Sequence, residues 1–194
     1  VPTPDQLATS QTVALMIAPG LEEVEALAVM DVLYRGGVRV DLLSITDSLE
    51  VTSSHKLTFR CDALAADTDL STYTLVMLPG GLPGTSNLQA CEQVTTEVTR
   101  RVQAGELVAA ICAAPSILAE LGLLRGRQAT ANPGFMPALE AGGAAISQAP
   151  VVVDGAVLTS RGMGTAIELG LEILRQLRGE EAVHQVQAGI VYQA

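Results

Sequence analysis

Leu107-Val108-Ala109-Ala110-Ile111-Cys112-Ala113-Ala114-Pro115-Ser116-Ile117-Leu118 is the stretch whose reading decides the fold. Its first half is a continuous apolar run with the length and Val/Ile/Ala content of a parallel strand buried on both faces. Its second half reads as a helix. Pro115 suits a first turn, where its missing N–H would be unpaired anyway, and apolar residues recur at Ile117, Leu118, Leu121 and Leu124. Cys112 then falls on a strand-to-helix turn, aimed out of the carboxyl edge of a sheet. The partial positive charge of the helix N-terminus there favours thiolate over thiol. Ala109, Ala110, Ala113 and Ala114 leave room for a sharp turn and for a substrate. Free cysteine also commonly just fills a core, so the residues around this stretch have to decide between the two readings.

Outward from it, strand and helix patterns alternate. Thr12 to Ala18 is a buried-strand run ended by Pro19-Gly20. Glu22 to Tyr34 follows as a helix with acids in its first turn and Val24, Leu27, Ala28, Asp31 and Val32 on one face. Gly36-Gly37 ends it, and Val38 to Ile45 returns as a strand, completing a βαβ unit. Thr46 to Asp69 is less regular, with a short strand near Leu57-Thr58-Phe59. Thr74 to Leu78 is another buried strand, running into Pro79-Gly80-Gly81-Leu82-Pro83-Gly84, and Asn87 to Val102 reads as one helix ending near Gly105. Gly126 to Ala149 is a mixed connection. Val151 to Val153 and Ala156 to Thr159 form a hairpin with Asp154-Gly155 at its turn. Gly164 to Leu177 is a helix, with a short helical tail to about Gln187. Such alternation implies a mostly parallel sheet covered on both faces, with ligands at the carboxyl ends of the strands. Gly20–Glu25, Gly80–Gly84 and Cys112–Ala113 all leave strands at that edge.

Composition narrows the function. The 194 residues suit one domain, with residues 1–11 a loose polar extension that shows no signal-peptide pattern. Although 48% of residues are hydrophobic, no run approaches the ~18 a membrane span needs. A net charge of −10, with Lys56 the single lysine, opposes binding to nucleic acid or anionic membranes. Three widely spaced cysteines argue for free thiols in a reducing cytoplasm rather than a disulfide framework.

Among the candidate groups, dipole compensation explains Glu22 and Glu23, but Glu25 sits toward the core-facing side of its helix. A carboxyl pointing inward there has its pKa raised by desolvation. Partnership with Cys112 requires that acid to be neutral when the sulfur is charged. Gly80-Gly81 is either turn punctuation or a source of backbone N–H for an oxyanion; its spacing is not a dinucleotide fingerprint. The two histidines, His55 and His184, stand in no metal-ligand spacing with a cysteine, so no zinc site is expected. Cys61 reads as a core cysteine and Cys91 as a helix-surface one.

Four segments, Ala18-Pro19-Gly20-Leu21-Glu22-Glu23-Val24-Glu25, Leu78 to Gly84, Ala109 to Pro115 and Leu158-Thr159-Ser160-Arg161-Gly162-Met163-Gly164-Thr165, occur in order and together resemble the ThiJ/PfpI superfamily, most of all its small single-domain deglycase branch. The resemblance implies an α/β, flavodoxin-like three-layer sandwich and a homodimer whose interface includes the first helix. It implies Cys112 as the nucleophile, Glu25 as the protonated carboxyl beside it, and the amides of Gly81 and Ala113, with Gly80 beside them, as the oxyanion pocket. Arg35 and His55 fall where the family places basic residues near a dimer-related pocket. Two positions depart from the pattern. Thr130-Ala131-Asn132-Pro133 stands where members often carry Thr-x-His-Pro, and Asn132 cannot act as acid or base, although it can hydrogen-bond a substrate carbonyl. Ala113 stands where protease-like members have histidine, which argues against peptidase activity. The expected function is a cofactor-independent glyoxalase- or deglycase-type enzyme acting on small dicarbonyls or early glycation adducts. The alternative is a redox sensor or holdase chaperone in which Cys112 is oxidised to sulfinic acid.

Overall fold

The computed structural model describes residues 7–193. In chain order the elements are β1 (Thr12–Ile17), α1 (Glu23–Arg35), β2 (Arg39–Ser44), β3 (Glu50–Thr52), β4 (Thr58–Arg60), β5 (Ala63–Leu64), β6 (Leu75–Leu78), α2 (Gly84–Ala90), α3 (Glu92–Ala104) and β7 (Leu107–Ile111). They continue with α4 (Pro115–Glu120), β8 (Gln128–Ala129), α5 (Met136–Ala141), β9 (Ala145–Ile146), β10 (Val151–Asp154), β11 (Val157–Ser160), α6 (Ala166–Arg178) and α7 (Glu180–Gly189). Residues 1–6 of the expected loose extension lie outside the described residues; within the remainder, the Ala8 N–H donates to the Gly37 carbonyl at 2.9 Å.

The central sheet runs β10-β11-β7-β6-β1-β2-β5. Its pairs are parallel except for the β10–β11 hairpin, where Asp154 lies opposite Val157 across the expected Asp-Gly turn. Side-chain alternation along β1 separates the two halves of the core. Val13, Leu15 and Ile17 pack with Val29, Leu33, Leu169 and Ile173 of α1 and α6. Ala14 and Met16 pack with Val94, Val98, Ile117 and Leu118 of α3 and α4. The strand order reverses beside β1, so the β1 and β6 carboxyl ends open onto the crevice where ligands sit in open α/β sheets.

Three local readings change. The inward face of α1 is Glu25, Ala26, Val29, Val32 and Leu33, whereas Val24 and Asp31 are exposed and Leu27 and Ala28 only half-buried. A one-residue rotation of the stripe moves it, because β2 and α6 both pack on that side. The helix expected over 87–102 is two helices, broken where Cys91 takes extended backbone (φ −82°, ψ 106°). Cys91 therefore sits at a junction rather than on a helix surface. The helix after Cys112 stops at Glu120, which leaves Leu121 outside it and exposed.

The largest fully buried side chain is a charged one. Arg101 donates to the carbonyls of Leu70 (2.8 Å), Tyr73 (2.6 Å) and Thr74 (3.2 Å) and to Glu97 Oε1 (2.7 Å). It ties the segment leading into β6 to α3. Arg101→Met is expected to lower stability by about 3 kcal/mol, because it removes a sealed guanidinium's hydrogen bonds to the Leu70, Tyr73 and Thr74 carbonyls and leaves Glu97 with Arg100 alone. A urea midpoint unchanged from wild type would contradict this.

Candidate active site

Three strand ends build the site. Glu25 lies in the first turn of α1, which is capped by Glu22, whose side chain accepts the Glu25 N–H at 2.8 Å. Glu25 itself points inward and is 1% exposed. Its Oε2 accepts the Gly80 N–H, from the loop after β6, at 2.9 Å. A β-carbon on Gly80 would meet Glu25 Oε2 at 2.6 Å and Cys112 Cβ at 2.7 Å, so only glycine lets the loop approach both groups.

Cys112 follows β7 directly, its N–H continuing the ladder to the Ser160 carbonyl at 2.9 Å. The backbone then turns through φ +64°, a left-handed conformation that costs a non-glycine residue about 1–3 kcal/mol. The turn aims the half-buried thiol at the Glu25 carboxyl, with which it shares a hydrogen bond. The amides of Gly81 and Ala113 also point at the sulfur. Gly80 thus orients the acid, while Gly81 and Ala113 are the donors near the sulfur.

The electrostatics correct one expectation. The Glu25 carboxyl is raised to about 7, first by burial and then by the Glu22 charge, against hydrogen bonds from Cys112, Gly80 and Met163. The Cys112 thiol is not lowered by the helix behind it. Burial, then the Glu25 charge and its hydrogen bond, push it up to about 12 against the Ala113 and Gly81 amides. Two like charges cannot both be held in this small volume. The pair therefore titrates as a unit, losing one proton near neutrality and keeping the other. A nucleophilic sulfur here requires the tautomer with thiolate on Cys112 and the remaining proton on Glu25.

Glu22→Gln keeps an oxygen for the cap but removes the neighbouring charge. The pH midpoint for alkylation of Cys112 by iodoacetamide is expected to fall by about half a unit. A midpoint that stays or rises would exclude Glu22 from the site's electrostatics.

Asn132 belongs to the same cluster. Its N–H donates to the Cys112 carbonyl at 3.0 Å, and its Oδ1 accepts the Gly134 N–H at 3.1 Å. With Gly162 and Met163 it lines a cavity of about 340 Å³. Gly162, which nothing in the reading of the sequence marked as a site residue, faces all three groups. A β-carbon built there would lie 3.8 Å from each of Cys112 Sγ, Glu25 Oε1 and Asn132 Nδ2. Its only signal was its place beside Arg161 in the fourth motif.

Arg35 and His55 are not brought to this pair within one chain. Arg35 is ten residues beyond Glu25 on α1, about 15 Å along the axis, and pairs with Asp31 at 2.7 Å. His55 contacts Glu23 at 3.1 Å and Glu22 at 4.0 Å. Glu22, Glu23 and His55 are the one trio among the described residues whose ligand atoms lie within 4.8 Å of one another. Glu22 is committed to capping α1, and His55 Nδ1 lies within hydrogen-bond distance of Glu23.

The DJ-1/PfpI family profile matches residues 11–176. Protein DJ-1 homolog A of Arabidopsis thaliana is 39% identical over 180 residues, covering 92% of this chain and 46% of the relative. The chain thus spans about half the length of that plant protein. A glutathione-independent glyoxalase of Caenorhabditis elegans, DJR-1.2, is 31% identical over 179 residues, covering 91% of this chain and 95% of the relative. The crystal structure of Drosophila melanogaster DJ-1beta superposes with a TM-score of 0.91 at 33% identity, over 96% of this chain and 100% of that one. The resemblance seen in the four sequence motifs and the arrangement of the sheet agree with these matches: the chain belongs to the DJ-1/PfpI family.

Proposed function

We propose that the protein is a cofactor-independent glyoxalase- or deglycase-type enzyme, a hydro-lyase or hydrolase acting on methylglyoxal-like dicarbonyls or early glycation adducts. The observation that carries this reading is the hydrogen-bonded Cys112–Glu25 pair beneath the Gly81 and Ala113 amides. The worm relative named as a glutathione-independent glyoxalase supports it.

With methylglyoxal, Cys112 Sγ adds to the aldehyde carbon. A C–S bond forms and the carbonyl oxygen, stabilised by the two amides, takes the proton of Glu25. The Glu25 carboxylate then removes the hydrogen on that carbon as a proton and returns it to the adjacent carbon, while the hydroxyl proton passes from the first oxygen to the second. One carbon is oxidised and its neighbour reduced within the same molecule, giving a lactoyl thioester. Water cleaves the C–S bond, lactate leaves, and the thiolate and protonated carboxyl are restored. Glu25 is here a catalytic acid and base, Gly80 its positioning donor, and Asn132 a substrate contact.

A homodimer through α1 is part of this reading, supported by the exposed Val24 beside half-buried Leu27 and Ala28. In such a dimer Arg35 and His55 would face the partner's pocket. Among the described residues no helix is long and apolar enough to cross a membrane, and the three free thiols suit a reducing compartment such as the cytoplasm.

Lactate formation from methylglyoxal without glutathione tests the proposal. Turnover by the wild type is expected. Its absence, with a two-oxygen mass gain on Cys112 under mild peroxide, would replace the enzyme by a redox sensor or chaperone.

A further inference from the structure

The last of the four sequence motifs, Leu158 to Thr165, borders the Cys112–Glu25 pair with its backbone. The Ser160 carbonyl accepts the Cys112 N–H at 2.9 Å. A β-carbon built on Gly162 would lie 3.8 Å from both Cys112 Sγ and Glu25 Oε1. The Met163 N–H donates to the Glu25 carboxyl, whose Oε2 is already held by the Gly80 N–H at 2.9 Å. Two hydroxyls keep this turn in shape. Thr165 Oγ1 accepts the Gly162 N–H at 3.1 Å and donates to the Gly162 carbonyl at 2.9 Å. The Thr165 N–H donates to the same carbonyl at 2.8 Å. Ser160 is fully buried, and its Oγ lies 2.7 Å from Thr165 Oγ1 and 3.0 Å from the Pro150 carbonyl. With Ser160 donating to Thr165 and Thr165 to Gly162, both hydroxyl protons are used, and the Pro150 carbonyl still receives the Arg161 N–H at 3.2 Å. Satisfied polar networks of this kind rigidify the backbone they join. Glycine at 162 adds no side-chain packing of its own, so the turn's shape depends on the hydroxyl pair.

We propose that Thr165 is a positioning residue: its hydroxyl, braced by Ser160, fixes the 162–165 turn so that the Met163 N–H meets the Glu25 carboxyl as a second backbone donor beside that of Gly80. Thr165 acts through the turn rather than on the reacting atoms. This rests on Glu25 as the acid of the proposed reaction and adds how that acid is tuned. An N–H donor stabilises the singly ionised pair, so losing it raises the pH at which the pair gives up its first proton. The titratable groups facing Glu25 are Cys112, from the turn after β7, and Glu22, on its own helix. Arg161, the charged residue of the motif, donates instead to the Gln148 carbonyl at 3.2 Å.

The test is the pH midpoint of Cys112 alkylation by iodoacetamide, which needs no turnover, with folding of each variant checked by circular dichroism. Thr165→Val removes the hydroxyl at nearly constant shape and is expected to raise the midpoint by about half a unit, the reverse of Glu22→Gln. Thr165→Ser keeps a hydroxyl and is expected to restore the wild-type midpoint. Met163→Pro deletes the N–H itself. Met163 opens the short 3₁₀ turn Met163–Thr165 and follows extended backbone at Gly162, a place where proline is accommodated. This variant is expected to raise the midpoint by at least as much, and Thr165→Val added to it should then have no further effect. An unchanged midpoint in either single variant, failure of serine to restore it, or additive shifts in the double variant would overturn the assignment. Met163→Pro leaves both hydroxyls in place, so an unchanged midpoint there overturns the proposal even if Thr165→Val does not fold. If the shifts appear while no lactate forms, the positioning role stands and the enzyme reading fails; if lactate forms without the shifts, the reverse holds.

Discussion

Cys112→Ala is expected to abolish lactate formation, lowering kcat by at least about a thousandfold, because no other nucleophile has an acid and amide donors placed to carry an adduct on to product. Cys61 is buried among apolar residues and its thiol is pushed up to about 11 by burial and by Asp62. Cys91 lies at the α2–α3 junction, on the α3/α4 side of the sheet. Neither has an acid hydrogen-bonded to it or backbone amides aimed at it. The fold should survive the change. Alanine tolerates the left-handed backbone at 112 no worse than cysteine does, so a urea midpoint near wild type separates lost chemistry from lost structure. Full activity in Cys112→Ala would end the mechanism.

Glu25→Gln has the second largest expected effect, about 10²–10⁴ in kcat, through loss of proton transfer between the two carbons. Adduct formation with Cys112 should persist, since glutamine removes the acid and leaves the sulfur and its amide donors in place. The same substitution carries a stability signature of unusual sign. The folded Glu25–Cys112 pair loses its first proton at about 7, where an ordinary carboxyl does so at 4.5. Below about pH 4.5 it is neutral in both folded and unfolded states. As pH rises the unfolded chain ionises first, so the wild type loses stability between about 4.5 and 7, by up to about 3 kcal/mol. Glu25→Gln lacks that loss and should be the more stable of the two at about pH 8. Parallel urea midpoints for both proteins across this range would show that Glu25 is not held neutral by the fold.

The chain betrays its sheet more readily than its site. Runs such as Leu75–Leu78 and Leu107–Ile111 are apolar at every position because strands buried on both faces leave no polar side to choose. The turn at Cys112 was marked by Pro115, and the inward Glu25 by its place on an amphipathic helix. Other features had no local signature. The break at Cys91 interrupts a stretch with ordinary helix formers on both sides, and it is set by how α2 and α3 pack. Arg101 follows Arg100 in a polar helix, and only tertiary structure shows that one is sealed and the other half-exposed. Nor could spacing reveal that a glycine at 162 faces a sulfur at 112. The ionisation of that sulfur was misread for a related reason: a helix N-terminus is visible in sequence, whereas the desolvation and like charge that outweigh it are not.

The state of the pair near neutrality is the most direct test. Cys112 alkylation by iodoacetamide is followed against pH, alongside the infrared carboxylic-acid band assigned by its loss in Glu25→Gln. One charge shared between sulfur and acid predicts that the rate climbs through about pH 7 and levels off, with the acid band still present on the plateau. A rate that keeps rising toward about pH 12 while Glu25 is fully ionised would mean an isolated buried thiol beside a carboxylate, and would contradict the account.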